Sequence, residues 1–187
     1  TISADLSGLF RVAEEDLYLS ILPTATQYSR NAIFSGLMPS QIASQMPQYW
    51  VEDDDEEGKN NHEEDLFRNQ LSKRGLNLKW TYSKISNSSE GKKLNERIRQ
   101  LLENDINILV YNFVDILSHA RTEVGVIRDL AGDESAYRSL VRSWFIHSSL
   151  FELLKVLASH RVKIVVSTDH GTIRVQNPVR ITGDKKT

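Results

Sequence analysis

Two kinds of apolar pattern alternate along this chain of 187 residues. Short, nearly continuous apolar runs rich in Ile, Val and Tyr predict buried β-strands, whereas segments with an apolar residue every three or four positions predict amphipathic helices. The predicted strands are 16–22, 76–85, 106–114 and 162–167, with one or two edge strands over 172–181 broken at Pro178. The predicted helices are 27–36, 40–46, 63–74, 89–104 and a pair over 134–160 divided near His147 and Ser148.

The order of these elements predicts the fold class. Strands that alternate with helices form βαβ units, so we expect an α/β fold with a mainly parallel sheet and helices on both faces. The run 106–114 is nearly all apolar, as is typical of a strand buried on both faces. Ligands of such sheets bind beyond the carboxyl ends of the strands. The residues that follow each predicted strand are therefore the first candidates for a functional site.

Composition limits the class of protein. With 40% hydrophobic and 26% charged residues, the chain has the balance of a globular domain with a substantial core. A net charge of −2 gives no general attraction to nucleic acid or anionic membranes, although specific contact with a nucleotide stays open. The absence of cysteine excludes disulfides, thiolate zinc sites and cysteine nucleophiles. With no membrane-length apolar run and no signal-peptide pattern, we expect a cytoplasmic protein.

Two segments differ from this average. Residues 52–57 are six consecutive acidic residues, and we assign them to a solvated acidic loop, 51–62. A cation site is the alternative, but adjacent carboxylates lack the alternate spacing of a calcium loop. The chain also begins at Thr1 rather than Met and ends in the polar stretch 182–187. We therefore expect it to be a piece of a longer protein.

The first candidate residues follow the strand predicted at 16–22. Pro23 ends that strand and the helical pattern begins at Gln27, so Thr24 and Thr26 lie in the turn. A hydroxyl there faces the free N–H groups of a helix start, which stabilise an anion such as phosphate. A threonine that merely caps the helix is the simpler alternative.

Further candidates follow the other strands. Asp115 and His119 are four residues apart, so a helical turn places both on one side. Asp169 and His170 are adjacent. An irregular turn, which the flexible backbone of Gly171 permits, could direct both side chains to one centre. Oxygen and nitrogen donors without sulfur suit zinc or manganese.

Each of these groups has a simpler explanation when taken alone. An Asp-x-x-x-His pair is more often an ion pair or a cap. Three such groups, each directly after a predicted strand, are hard to attribute to chance. Arg30 and Asn31 lie one helical turn beyond Thr26 and would reach a bound phosphate, although surface solvation explains them equally well. The histidines at 62, 147 and 160 are assigned structural or solvated roles.

These residues carry a resemblance to the alkaline phosphatase superfamily and, within it, to the PglZ domain. The segment 23–26, together with Ile33 and 36–39, resembles the nucleophile segment of that superfamily, with Thr26 in the nucleophile position. The motifs Asp115-x-x-x-His119 and Asp169-His170-Gly171 resemble its two downstream metal motifs. The segments 47–50, 113–122, 143–148 and 168–175 resemble PglZ-containing response regulators of the PorX type.

The resemblance implies a fold, an activity and a site. It implies an alkaline-phosphatase-like domain and a zinc-dependent phosphodiesterase acting on nucleotide-type phosphodiesters, including oligonucleotides. One zinc ion would be held by Asp115 and His119, and the other by Thr26, Asp169 and His170, with manganese as the alternative metal. Thr26 would attack phosphorus in line and form a phosphothreonine. The family also has a further metal-binding Asp and His, which by this resemblance lie before Thr1 and after Thr187, so residues 1–187 are expected to be a partial PglZ domain truncated at both ends.

The resemblance also implies a biological setting. It places the domain in a two-component response regulator that controls type IX secretion, with a sensor histidine kinase and a sigma factor as partners. It implies no contact with a membrane and is compatible with a homodimer. The competing hypothesis is a non-catalytic signalling module that binds a nucleotide or a partner protein on the same fold. A sulfatase or phosphomutase is a third alternative.

Overall fold

The computed structural model of the protein describes residues 2–22, 24–51, 60–171, 177 and 179. The chain divides into two compact units. The sheet unit comprises Thr1–Asp16 and Leu78–Ile164, and the helical unit comprises Leu17–Asn77 and Val165–Thr187. Across the described residues the fold is helix-rich α/β, since the helices accompany a small parallel sheet.

The helices follow the amphipathic segments of the sequence. In chain order they are α1 Ile2–Ser7, α2 Thr26–Ser35, α3 Pro39–Gln45, α4 Glu63–Lys73, α5 Ser88–Glu96, α6 Ile98–Leu102, α7 Phe113–Glu123, α8 Gly125–Leu130, α9 Glu134–Ile146 and α10 Ser149–Leu157, with a 3₁₀ turn at Pro47–Tyr49. The predicted helices at 27–36, 40–46 and 63–74 are confirmed as α2, α3 and α4.

Side-chain caps explain where two helices begin. Asp133 accepts a hydrogen bond from the backbone N–H of Ala136 at the start of α9, and Ser148 accepts one from Phe151 at the start of α10. Ser148 is extended, with φ −85° and ψ 157°, so α9 cannot continue through it. The predicted division of 134–160 near His147 and Ser148 is therefore confirmed.

The sheet has two strands among the described residues, β1 Trp80–Ile85 and β2 Ile106–Tyr111. They are parallel, with Trp80 opposite Ile106 and Ile85 opposite Tyr111. The connection between them contains α5 and α6, which divide the predicted helix 89–104 at Arg97. The core of this unit is the buried cluster Ile85, Leu94, Leu101 and Leu153. The strand predictions at 76–85 and 106–114 are confirmed, and each observed strand is shorter than predicted.

The helical unit is built on the packing of α2 against α4. Phe34 of α2 and Leu66 of α4 are buried. Ile42 within α3 and Met46, the residue after α3, are also buried. Gly36 ends α2 in the left-handed conformation, with φ 66°, which a residue with a β-carbon adopts only with strain. The packing of α2 against α4 fixes the direction of the start of α2.

Two strand predictions are wrong. Residues 16–22 and 162–167 form no strand, and Leu17, Leu19 and Val165 are each at least 90% exposed. An apolar run becomes a strand only where a neighbour supplies backbone groups for a ladder, and the only ladder of the described residues joins β1 to β2. The larger sheet with helices on both faces therefore stays a prediction. The acidic run 52–57 and most of the edge strands predicted over 172–181 lie outside the described residues.

In the part of the chain that the structure describes, no helix has the length and apolar character needed to cross a membrane.

Candidate functional site

Thr26 is the first residue of α2, which contains ten residues. Ala25 precedes it in an extended conformation, with φ −97° and ψ 139°, and occupies the cap position. A threonine therefore does not cap this helix, and the capping alternative for Thr26 is wrong. Its side chain lies at the positive end of the helix dipole, where negative charge is stabilised. Thr24, two residues earlier, is exposed.

The hydroxyl of Thr26 contacts an imidazole from the other end of the chain. Thr26 Oγ1 lies 3.4 Å from His170 Nε2, and His170 Nδ1 lies 3.0 Å from the carbonyl oxygen of Gly171. Since a carbonyl oxygen only accepts, the Nδ1 contact requires a proton on Nδ1. The lone pair of a neutral ring is then on Nε2, facing Thr26. A histidine that ligates a metal has this arrangement, with its second nitrogen donating to a backbone carbonyl.

Asp169 adds a carboxylate to this contact. Its Oδ2 atom lies 3.8 Å from His170 Nε2, and both side chains are about a fifth exposed, at 22% and 23%. A tetrahedral zinc ion with ligands at about 2.0–2.1 Å separates their atoms by about 3.3–3.4 Å. The Thr26–His170 distance matches this separation, and the aspartate oxygen is slightly farther away. The Thr26–His170 separation and the oxygen and nitrogen donor types therefore fit a tetrahedral zinc site.

The hydroxyl of Thr26 adds an oxygen beside Asp169 and His170. Among the described residues, no three His, Cys, Asp or Glu side chains gather at one point. Asp169 and His170 supply two donors of these kinds, and the Thr26 oxygen lies next to His170. We call Thr26, Asp169 and His170 the threonine centre.

Side-chain hydroxyls that donate to backbone carbonyl oxygens hold the turn of the threonine centre. Thr168 Oγ1 donates to the carbonyl oxygen of His170 at 2.9 Å. The hydroxyl of Tyr18 donates to the carbonyl oxygen of Thr168, and Ser20 Oγ donates to that of Asp169 at 2.7 Å. The turn is therefore held both by its own side chain and by the segment 17–22.

Arg30 points away from solvent and is paired. Its Nη2 atom lies 2.7 Å and 2.8 Å from the two carboxylate oxygens of Glu63, at the start of α4. The side chain of Glu63 is 1% exposed and that of Arg30 is 12% exposed, so the pair is buried between α2 and α4. Asn31 is also buried on α2. The pairing gives Arg30 a structural function, and its contact with a substrate stays a prediction.

Asp115 and His119 form the other predicted couple. Both are on α7, which begins two residues after β2, so the couple follows a strand as predicted. His119 Nε2 lies 3.6 Å from Asp115 Oδ1, and the side chains are 71% and 56% exposed, respectively. The structure thus groups the five predicted metal ligands as a triad in the helical unit and a pair in the sheet unit.

Aromatic packing fixes the start of α7. Phe113 stacks on Trp144 of α9, with ring centroids 4.2 Å apart and planes 1° from parallel. Tyr111, at the end of β2, meets the same indole edge-on at 6.3 Å. Burial raises the pKa of the Tyr111 phenol, because the charged form is poorly solvated there. These contacts hold the first turn of α7, and with it Asp115, against α9.

A cavity of about 330 Å³ lies beside the threonine centre, within the helical unit. Its wall includes Asp169, Ser20 and Ser29, and apolar side chains of the segment 18–21 and of α2 such as Ile33. Tyr18 and Gln41 also line it, so the cavity places one carboxylate, three hydroxyl-bearing side chains and one amide among apolar residues.

The hydroxyl groups around Asp169 are not among the residues predicted from the sequence. Tyr18 and Ser20 alternate within an otherwise apolar run, so an extended backbone places both on one side. That alternation was the available signal. The carbonyl groups that they contact belong to residues about 150 positions later and could not be identified from the run itself.

Comparison with known families identifies the family that the sequence matches. The family described as BREX system PglZ alkaline phosphatase-like domain matches residues 7–187. The match spans the threonine centre and the Asp115–His119 couple alike. No curated protein sequence matches the chain closely enough to serve as a named relative.

Proposed function

Because the chain belongs to the PglZ alkaline phosphatase-like family, we propose that it is a metal-dependent phosphoric ester hydrolase that cleaves nucleotide-type phosphodiesters with Thr26 as its nucleophile. The observation that carries the proposal is the contact of Thr26 Oγ1 with His170 Nε2 at 3.4 Å, at the first residue of a helix. A hydroxyl in that position lies beside a nitrogen donor and at the positive end of the helix dipole, which stabilises negative charge.

The threonine centre would hold one zinc ion and Asp115 with His119 would hold a second, with manganese as the alternative. Bound zinc would lower the pKa of the threonine hydroxyl and stabilise negative charge on the phosphoryl oxygens. The tautomer of His170 supports this assignment, since Gly171 accepts the Nδ1 proton and leaves Nε2 as a donor to the metal.

Residues of the chain would orient the phosphoryl group, attack phosphorus and bind the rest of the substrate. The N–H groups at the start of α2 would orient the phosphoryl group toward Thr26. Its oxygen would attack phosphorus in line, so the Oγ–P bond forms as the bond to the leaving oxygen breaks, and the leaving oxygen takes a proton. Water would then hydrolyse the threonine ester and restore the hydroxyl. The cavity beside Asp169 would take the apolar part of the substrate.

The regulatory setting is a further part of the proposal. Its support is the resemblance of 143–148 and 168–175 to PorX-type response regulators. We assign the domain to a cytoplasmic two-component regulator of type IX secretion, with a sensor histidine kinase and a sigma factor as partners. Fusion to a receiver domain in the native gene would support this setting.

Substitution of the two neighbouring threonines tests the proposal. Hydrolysis of bis(p-nitrophenyl) phosphate is measured with zinc present for Thr26→Ala and for the matched control Thr24→Ala. Loss of the nucleophile should reduce kcat by about 10³-fold or more, since the threonine ester can no longer form. The exposed Thr24 should be replaceable with little effect.

Urea unfolding of both variants checks that the fold is kept. Full turnover by Thr26→Ala would remove Thr26 from the role of nucleophile. A wild-type protein that binds nucleotides in the presence of zinc without hydrolysing the diester would contradict the proposed activity and support the non-catalytic binding module.

A further inference from the structure

The turn of the threonine centre is anchored by two hydroxyls that the proposed chemistry does not use. Ser20 Oγ lies 2.7 Å from the carbonyl oxygen of Asp169, and the hydroxyl of Tyr18 donates to the carbonyl oxygen of Thr168. Both hydroxyls come from the segment 17–22, which forms no strand and exposes Leu17 and Leu19 almost completely. Two polar side chains of an exposed extended segment therefore hydrogen-bond to the turn.

Ser20 also contacts the helix that carries Thr26. Its Oγ lies 2.9 Å from Ser29 Oγ, and Ser29 is only 3% exposed. A serine hydroxyl has a single proton, and Ser20 uses it on the carbonyl oxygen of Asp169. Ser29 therefore donates to Ser20, and the hydrogen bonds run in one direction from α2 through Ser20 to Asp169.

The two hydrogen bonds of Ser20, which we call the relay, connect the helix of Thr26 to the turn of His170. Ser29 lies three residues after Thr26 on the same helix, and Asp169 is adjacent to His170. Any displacement of the turn relative to α2 changes the separation of Thr26 Oγ1 from His170 Nε2, now 3.4 Å. A tetrahedral ion tolerates little change in that separation.

We propose that Ser20, together with Ser29, is a positioning residue that sets the spacing of Thr26 and the Asp169–His170 donors for one metal ion. The inference rests on the proposed function, because it assigns a metal to the threonine centre. Partners of this kind, which orient the ligands without touching the metal, typically contribute 10–100-fold to metal affinity or activity.

A purely structural role makes a different prediction. A hydrogen bond that only stabilises the helical unit would change the free energy of unfolding when it is lost, and the folded fraction would bind metal as before. A positioning role lowers the affinity for the metal in protein that is fully folded. Zinc affinity measured on folded protein therefore separates the two roles without reference to turnover.

The experiment is a zinc titration against a chromogenic chelator of known affinity. The purified protein is compared with Ser20→Ala, Ser20→Thr, Ser29→Ala and the matched control Ser44→Ala, whose hydroxyl donates to the carbonyl oxygen of Gln41 within α3. Ser20→Ala should weaken zinc binding by about 10–100-fold. Ser20→Thr keeps the hydroxyl and should restore most of the affinity, and Ser44→Ala should bind zinc like the wild type.

The relay adds a second, independent test. Because Ser29 acts through Ser20, Ser29→Ala should also weaken zinc binding, and the double variant should bind about as weakly as Ser20→Ala alone. Should Ser20→Ala fold poorly, Tyr18→Phe removes the neighbouring anchor of the same turn and should lower zinc affinity in the same direction. The inference would be overturned if folded Ser20→Ala bound zinc with wild-type affinity. It would also be overturned if the single variants Ser29→Ala and Tyr18→Phe both did so.

One further variant distinguishes failure of the inference from failure of the proposed function. His170→Ala removes a proposed ligand and should abolish one zinc equivalent. If it does so while Ser20→Ala binds zinc normally, the positioning role is wrong and the metal site stands. If His170→Ala binds as much zinc as the wild type, the metal is not at the threonine centre and both proposals fail.

Discussion

Thr26 and His170 are 144 positions apart in the sequence, and their Oγ1 and Nε2 atoms are 3.4 Å apart in the fold. The contact joins the first residue of α2 to the turn that carries Asp169. An imidazole nitrogen and a carboxylate therefore lie close to the hydroxyl that we propose as the nucleophile.

Hydrolysis of phosphodiesters should depend on metal through His170. Removal of metal with EDTA should abolish hydrolysis of bis(p-nitrophenyl) phosphate, and added zinc should restore it. His170→Ala should lower kcat/KM by about 100-fold or more, since the metal loses a ligand. His160→Ala is the matched control, because that ring lies at the end of α10 and contacts the carbonyl oxygen of Val156. Equal losses in both variants would contradict a specific role for His170.

The buried pair of Arg30 and Glu63 should contribute strongly to stability. Arg30→Met leaves a carboxylate that is 1% exposed without its cation, and such a loss typically costs about 3–5 kcal/mol. Arg68→Met removes an exposed cation of α4 that pairs with Glu64, and should cost under about 1 kcal/mol. Urea unfolding measures both changes. If Arg30→Met is as stable as Arg68→Met but binds nucleotides more weakly, Arg30 serves the substrate rather than the fold.

Close packing of α5 on α10 should require glycine at position 91. A β-carbon at Gly91 would lie 1.9 Å from Ser149 Oγ and 2.8 Å from Ser149 Cβ. Gly91→Ala should therefore destabilise the protein by about 1–3 kcal/mol, as overpacking does. Gly125→Ala is the control, since a β-carbon there meets no atom within 4 Å among the described residues. A thermal midpoint unchanged by Gly91→Ala would show that the two helices separate without penalty.

The ion pair of Asp5 and Arg142 should make stability depend on pH. The guanidinium of Arg142 binds both carboxylate oxygens of Asp5, at 2.8 Å and 2.9 Å, and these hydrogen bonds lower the pKa of Asp5 below its usual 3.8. A lowered pKa stabilises the fold above the unfolded value, and the contribution disappears as the pH falls through the folded value. Asp5→Asn should thus lower the urea midpoint at neutral pH and have no effect in strong acid.

Substitution of the partner checks the origin of that effect. Arg142→Gln should reproduce the loss at neutral pH, and the double variant should lose no more than either single variant. A difference between wild type and Asp5→Asn that grows toward acid would have the wrong sign and would exclude the pair as its cause.

Local patterns were sufficient to predict the two strands that form and the helices within 27–36, 40–46, 63–74, 89–104 and 134–160. The helices α7 and α8 were not predicted, and α7 begins inside the predicted strand 106–114. The divisions near Ser148 and Gly36 come from residues whose caps and backbone angles are local properties. The run 16–22 has the same apolar character as β2, and yet only β2 has a paired strand. A ladder requires a partner distant in sequence, and the apolar pattern of one segment does not specify that partner.

The candidate site likewise has features set by local sequence and features set by residues distant in sequence. The spacing of Asp115 and His119 places both on one side of a helical turn. Asp169 and His170 are adjacent, so their approach depends on the turn that carries them. The contact between Thr26 and His170 depends on the fold. The family resemblance pointed to it, whereas the rule for strand ends relied on strands at 16–22 and 162–167 that do not form. Nothing in the sequence near Ser20 indicates that its hydroxyl faces Asp169, so that anchor required the structure.

The stereochemical course at phosphorus tests the central claim most directly. A nucleoside aryl phosphorothioate diester of one configuration is hydrolysed in isotopically labelled water, and the configuration of the product is determined by NMR. Attack by Thr26 followed by hydrolysis of the threonine ester consists of two in-line displacements, so the account predicts net retention. Net inversion would mean that water attacks phosphorus directly and would contradict a threonine nucleophile.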